Sequence, residues 1–360
     1  MNDLSLYIHI PFCKRFCTYC NFVKYHKNED LEEKYLVKLF EEIDSYKELL
    51  NKRNIKTIYI GGGSPSVLSY KNLESLLKVL DKYKAEVEEY TIELMPSDVN
   101  EDLLKLLKEH NINRISLGVE SINPNIMKDM GRVLDTNFLS SKINLVKKYF
   151  PNFNLDLIYG FKGETIEDLK KDLDFILSFE PKHISTYLLE ISTDTYLGKT
   201  GYQGLNDEEA SKEYYFIKTY LEKAGYNQYE ISNYSRKGYE SKHNLVYWHN
   251  KHYLGLGVSA SSYTNNIRFT NTSDLNKYPS IEYTEELNML DTIKYEMILN
   301  LRLTKGINKK NFYKKYNKEI KDIYDIDSLI KKGFIIEEDD FFKINPKYLF
   351  VSNYIYTYFI

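Results

Sequence analysis

The sequence has no run of 18 apolar residues, so it predicts no membrane-spanning helix. Residues 1–5 carry no basic-then-apolar leader, and Cys13 stands too near the start for one to be removed. Net charge is only −3, which leaves no basic excess for a nucleic-acid-binding face. There is no internal repeat, no low-complexity tract and no Pro/Ser-rich linker. Tryptophan occurs once, and cysteine three times in 360 residues. Such sparing cysteine use points to a reducing cytoplasm. The 34 tyrosines are the opposite extreme, and we read them as compositional drift without functional content. The length suits a barrel-sized domain with a smaller one attached.

All three cysteines fall within eight positions, in Cys13-Lys14-Arg15-Phe16-Cys17-Thr18-Tyr19-Cys20. Three thiolates on one CxxxCxxC loop can hold three irons of a four-iron, four-sulfur cube, leaving the fourth iron open to a small molecule. Tyr19 lies between the last two cysteines, where an aromatic ring can shield a cluster from water. A Cys3His zinc site is the competing reading, with His9 or His26 as fourth ligand. The stretch resembles the radical S-adenosylmethionine (SAM) superfamily, whose signature is CxxxCxxC with an aromatic before the last cysteine. The resemblance implies a [4Fe–4S] cluster on Cys13, Cys17 and Cys20, with SAM bound to the open iron through its amino and carboxylate groups.

The first two-thirds of the chain alternates short apolar runs with helical patterns. Strands are predicted at Leu4–Ile10, Thr57–Ile60, Tyr90–Met95, Arg114–Val119, Asn154–Tyr159 and His183–Leu189. Helices are predicted at 31–52, 72–82, 100–109 with Asn100 as cap, 137–149, 165–178 and 207–224. This alternation implies a parallel sheet with right-handed crossovers, a partial (β/α)6 TIM-like barrel. An irregular Gly- and His-rich region follows. From about residue 290 the pattern changes to short helices and a hairpin at 333–344, a small helical, winged-helix-like domain. With no basic stripe, that wing reads as a structural or partner-binding cap rather than a DNA reader. The expected divisions are 1–205 for the core barrel, 206–285 for an extension and 286–360 for the C-terminal domain.

Polar residues cluster after the strands, where parallel barrels place their chemistry. Gly61-Gly62-Gly63-Ser64-Pro65-Ser66 ends the second strand, and successive glycines allow close ligand approach and unpaired N–H groups. Glu93, Glu120 and Asp156 stand at or near the ends of the third, fourth and fifth strands, and Arg132 can pair with a carboxylate. By the superfamily resemblance, SAM would be held at Tyr7, Gly62, Gly63, Ser64, Glu93, Glu120, Arg132 and Asp156, with Tyr19 beside the cluster. Three of seven histidines, His243, His249 and His252, fall within ten residues of one another beside Trp248. A histidine can ligate haem iron and flat aromatics can line a porphyrin. The same residues can equally form a loop whose His–Asn pair ties down the backbone and whose Tyr–Trp pair fills the core.

From Tyr7 to the C-terminal segment the chain is similar to the oxygen-independent coproporphyrinogen III oxidase-like family. The pieces that carry this are IHIPFC, GGGSPS, DLIYG, HIS, YEISNY and HNLVYW. The oxidase itself has a longer arm before its cluster and a further cysteine where this chain has Phe22. The HNxxYW motif resembles the haem chaperone (HemW-type) branch. This implies haem binding at His243 with Asn244, Tyr247 and Trp248 shaping the pocket, and delivery to a haem-acceptor protein. The chain would act in the cytoplasm or at the inner face of the membrane, alone or as a homodimer. The alternative is a radical SAM enzyme acting on a tetrapyrrole, by oxidative decarboxylation of coproporphyrinogen III or a related modification. Departures from the family pattern are Glu120 for glutamine, Leu134 for histidine, and Lys162-Gly163 for a proline-containing turn.

Overall fold

The structure is a computed structural model that describes residues 2–133 and 135–360. Leu134 lies outside the described residues. Six strands carry the expected alternation: β1 (Asp3–Ile10), β2 (Asn54–Gly62), β3 (Glu89–Leu94), β4 (Arg114–Glu120), β5 (Phe153–Tyr159) and β6 (His183–Leu188). They pair in that order, all parallel. In β1, Leu4, Leu6, Ile8 and Ile10 are buried under the helices, while Ser5, Tyr7 and His9 face the barrel interior, as period-two alternation requires.

The crossover helices are α1 (Glu29–Ser45), α2 (Tyr70–Leu80), α3 (Glu101–Glu109), α4 (Pro124–Asp129) with α5 (Thr136–Tyr149), and α6 (Ile166–Ser178), with α7 (Asp207–Lys223) after β6. Asn28, Ser69, Asn100, Asp135, Thr165 and Asn206 cap their N-termini through the side chain, Asn100 as the sequence predicts. The predicted helix over 31–52 is two helices. Tyr46 leaves helical geometry at φ −94°, ψ 5°, and a short helix, Lys47–Asn51, follows.

The region read as irregular is ordered and adds six strands: β7 (Asn227–Glu230), β8 (Asn233–Ser235), β9 (Tyr253–Leu256), β10 (Ser261–Thr264), β11 (Ile267–Asn271) and β12 (Ile281–Glu286). They extend one twelve-stranded sheet in the order β12-β11-β10-β9-β1-β2-β3-β4-β5-β6-β8-β7. β9 is parallel to β1 and lies on its free edge, a seventh parallel strand that the sequence reading did not anticipate. A helix between β8 and β9, α8 (Lys242–Trp248), carries the HNxxYW motif. After α9 (Met289–Leu301), three short strands at Ile307–Asn308, Ile335–Glu338 and Phe341–Ile344 form a small sheet that includes the predicted hairpin. Among the described residues, no helix is long and apolar enough to cross a membrane.

One buried acid bolts α1 to the exit of β9. Glu42 accepts from the backbone N–H of Gly257 (2.8 Å), from Asn271 Nδ2 (2.6 Å) and from the Tyr278 hydroxyl. Tyr35, about two helical turns earlier, donates to the carbonyl of His9 (2.5 Å) and accepts from Val258 N–H (3.3 Å). Glu42→Ala strands three buried donors at once. It should lower stability by about 3 kcal/mol, read by denaturant unfolding of the full chain.

Candidate functional site

The cysteine loop leaves the carboxyl end of β1 and is held from three sides. Phe12–Cys13 pairs in parallel with Tyr25–His26. Thr18 donates its backbone N–H to Met130 O (3.2 Å) and its hydroxyl to Asp129 O (2.5 Å), at the end of α4. Leu197 N–H donates to Thr18 O (3.1 Å). Cys13, Cys17 and Cys20 are free and half-buried. Burial, then the neighbouring Cys20 and Cys17, pushes the Cys13 thiol up to about 12. A metal or cluster that takes this sulfur must therefore displace the Cys13 proton.

Among the described residues, no three His, Cys, Asp or Glu side chains stand close enough to share one metal ion. The histidines of the zinc alternative are also turned to other work. His9 bonds Tyr7 Oη (3.0 Å) and the Val23 carbonyl (3.3 Å), and the His26 ring stacks on Phe16 at 4.0 Å. A cube makes a different demand, since each thiolate meets its own iron at a separate corner.

Beside the loop, β2 ends in the glycine stretch. Its N–H groups are not free as the sequence suggests: Gly62 donates to Glu93 Oε2 (3.2 Å), Gly63 to Ile10 O (2.8 Å) and Ser64 to Phe12 O (2.8 Å). The need for glycine is steric. A Cβ on Gly63 would stand 2.7 Å from Phe12 O, and Gly62 has φ +113° with the His9 ring 2.7 Å from its missing Cβ. Ser64 is buried and bonds Ser66, which donates to Asp98, the partner of Lys14 in the cysteine loop.

Glu93 holds its place through Tyr59, whose hydroxyl donates to Oε1 at 2.7 Å. At β4, the register shifts between Gly118 and Glu120, and Glu120 takes φ +69°. This bulge aims the carboxylate inward. There it meets Arg132 Nη2 at 3.1 Å. The same guanidinium donates to Gly118 O (3.2 Å), reaches Tyr19 Oη (3.5 Å) and sets its Nε 3.4 Å from Cys17 Sγ. Asp156 accepts from Asn154 (2.8 Å) and Ser116 (3.4 Å). Burial pushes Glu93 and Glu120 up to about 7, against the pull of Tyr59 on the first and Arg132 on the second, and raises Asp156 as well. Three buried carboxyls thus share the lumen with two buried guanidiniums, Arg132 paired to Glu120 and Arg114 acting on Asp156 from deeper down. A ligand bringing positive charge and hydrogen-bond donors is the complement of such a site.

The motif on α8 is divided by the structure. His243 is 1% exposed on the floor of the barrel. Its Nδ1 meets Thr57 Oγ1 (2.7 Å), its Nε2 meets Tyr247 Oη (2.7 Å), and its backbone N–H donates to Glu89 (3.0 Å). Burial, then the charge of Arg114, pushes it down to about 3, so it is neutral. Asn244 N–H is used in capping by Ser241 Oγ (3.3 Å). Trp248 turns the other way, under the Arg302 guanidinium at 4.4 Å. Only Tyr247 of the four lines a cavity of about 350 Å³, shared with Tyr7, His9, Phe22, Val23 and Tyr253. Sequence reasoning passed over Tyr59 and the cavity role of Tyr253, and weighed His9 only as a zinc ligand. Each sits at an inward-facing position beside a motif, and that alternation was the available signal.

Residues 7–176 match the Radical SAM superfamily. The chain is 33% identical over 371 residues to the haem chaperone HemW of Lactococcus lactis, covering 99% of this chain and 97% of that one. It is 33% identical over 349 residues to the haem chaperone HemW of Bacillus subtilis, covering 92% of each. Among solved structures, the Escherichia coli coproporphyrinogen III oxidase HemN, a radical SAM enzyme, superposes with a TM-score of 0.87 at 22% identity, over 99% of this chain and 90% of that one. At that identity the likeness speaks for the fold.

The packing around the glycines sets a test. Gly63→Ala must push the cysteine loop off β2, because the obstacle is backbone. It should cost about 2 kcal/mol in thermal unfolding and reduce the iron retained after reconstitution. Gly163→Ala, strained by its φ of +76° but with nothing within 4 Å of the added Cβ, is the control that loses stability while keeping its iron.

Proposed function

The chain belongs to the haem chaperone HemW family of the radical SAM superfamily, and on that premise we propose that it binds haem and passes it to an acceptor protein. The observation that carries this reading is a likeness to named haem chaperones that spans 99% of the chain rather than the barrel alone. In this proposal Cys13, Cys17 and Cys20 hold a [4Fe–4S] cluster and SAM occupies the open iron. When bound, the cluster supplies an electron-rich iron corner for the amino and carboxylate groups of SAM.

The residues present suit that cargo. SAM carries a sulfonium and an ammonium, and Glu93, Glu120 and Asp156 form an acidic, water-poor site that positive charge would stabilise. Arg132 ties Glu120 and Tyr19 to Cys17, so it positions the cluster loop and the carboxylate together. Tyr7, Gly62, Gly63 and Ser64 form the wall beside the loop, with Gly62 and Gly63 keeping it thin. Haem would enter the cavity walled by Tyr7, Tyr247 and Tyr253, on the β9 side of the cluster loop. We place the transfer in the cytoplasm or at the inner membrane face, with 286–360 as the partner-facing domain and a second copy of the chain as a further partner.

Anaerobic reconstitution tests the reading. Wild type should take up about four iron and four sulfide per chain, and Cys17→Ala should take up neither stably. Haem titration of the reconstituted chain should saturate at one haem per chain, and the haem should move to an apo-acceptor protein. Release of CO2 from coproporphyrinogen III together with 5′-deoxyadenosine would instead establish the oxidase reading.

A further inference from the structure

We propose that the buried Arg132–Glu120 pair sets the reduction potential of the cluster, with Arg132 as a charged hydrogen-bond donor to the Cys17 sulfur and Glu120 as the counter-charge that limits its effect. This rests on the cluster-binding part of the reading above and goes on to how that cluster is tuned.

The three cysteine sulfurs are not treated alike. Among the described residues, one side-chain donor reaches a cysteine sulfur: Arg132 Nε, 3.4 Å from Cys17 Sγ. The cations of the cysteine loop itself are turned elsewhere. Lys14 pairs with Asp98 (2.5 Å), Lys24 donates to the carbonyls of Cys20 (2.6 Å) and Phe22 (3.2 Å), and Lys27 stands 4.0 Å from Glu32. Arg15 is exposed on the outer side of the loop.

Arg132 is fixed in its pose by β4. Its Nη1 donates to Gly118 O (3.2 Å) and its Nη2 to Glu120 Oε1 (3.1 Å). The turn before it is tied to the cysteine loop, since Thr18 bonds the carbonyls of Asp129 and Met130. Donor and sulfur are therefore held by one piece of structure. The side chains of Arg132 and Glu120 are only 9% and 10% exposed, so solvent screens their charges poorly. The neighbouring acids have other partners: Glu93 bonds Tyr59 and Gly62, and Asp156 bonds Asn154.

The sign of each contribution follows from charge. Reduction takes a [4Fe–4S]2+ cluster to [4Fe–4S]+ by one electron from an external one-electron reductant, with no bond made or broken and no proton moved. The added negative charge spreads onto the sulfurs. A cationic N–H donor on one of them favours the reduced form and raises the potential. A carboxylate on the far side of the same guanidinium opposes that rise. Substitution separates the two effects. Glutamine at 120 keeps an acceptor for Arg132 and removes the negative charge. Glutamine at 132 removes the positive charge and the guanidinium fork.

The test is a potentiometric titration of the full, reconstituted chain without SAM at pH 8, with dithionite as reductant and the electron paramagnetic resonance signal of the reduced cluster as readout. Glu120→Gln should raise the potential and Arg132→Gln should lower it. Each shift should be about tenfold in the ratio of reduced to oxidised cluster at a fixed poise, ~59 mV for one electron. Iron and sulfide content should match wild type in both. Opposite signs from two neighbouring residues are a result that loosened packing does not produce. A Glu120→Gln potential equal to or below wild type overturns the proposal, as does an Arg132→Gln potential equal to or above it, and the cluster reading survives either. If Arg132→Gln loses its cluster, the direction of the Glu120→Gln shift decides. A wild-type chain that assembles no cluster overturns the cluster-binding reading itself.

Discussion

Everything at the cluster end depends on β1 being hydrogen-bonded in parallel on both edges, to β2 and to β9. A strand so held has no freedom of register, since a slip by one residue would exchange Leu6 and Ile8 for Tyr7 and His9 across the sheet. The cysteine loop therefore begins at a fixed point, and Tyr7 and His9 are aimed inward with it. The adjoining glycines let β2 close to within backbone contact of that starting point. Bulk at Gly63 would press on the backbone that leads into the cysteine loop, and bulk at Gly62 on the His9 ring.

The barrel interior is layered by charge. Near the carboxyl ends, Glu93, Glu120 and Asp156 crowd one another, with Arg132 as the partner of Glu120. Deeper down, neutral hydrogen-bonding groups stand beside the buried Arg114 and Glu89: His183 between Asn154 (2.7 Å) and Tyr229 (2.8 Å), and His243 between Thr57 and Tyr247. Burial keeps both imidazoles uncharged. The two histidines cost little desolvation because their partners satisfy both ring nitrogens. The crowded acids above are the part that gains from an occupant, which is how a binding site and a structural core can share one lumen.

The six strand–helix units were legible because their apolar residues alternate cleanly and their helices open with good caps. The cysteine spacing was legible for a chemical reason, since ligand geometry tolerates few spacings. What could not be read was 225–286. Its strands are short and polar, and they gain stability from the edge they join rather than from their own pattern. One signal was there, because Asn265-Asn266 joins β10 to β11 with both residues at positive φ, the geometry of a tight two-residue hairpin. The division of HNxxYW between floor, cavity and the α9 side was beyond the sequence as well. A helix of seven residues turns its side chains to every side, and only the packing of α8 on Thr57 and Glu89 decides which one meets the cavity.

The place of β9 has a bearing on how the chain assembles. Ser5 and Tyr7 find one strand partner in β2, near them in sequence, and the other around Tyr253, on the far side of the six strand–helix units. Until that second partner is in place the strand that carries the cysteine loop has an unpaired edge, and α1 lacks the Gly257, Asn271 and Tyr278 contacts that fix Glu42. Contacts so distant in sequence form slowly. The strand that starts the cysteine loop thus gains its second edge only when β9 has been made, well after the loop itself.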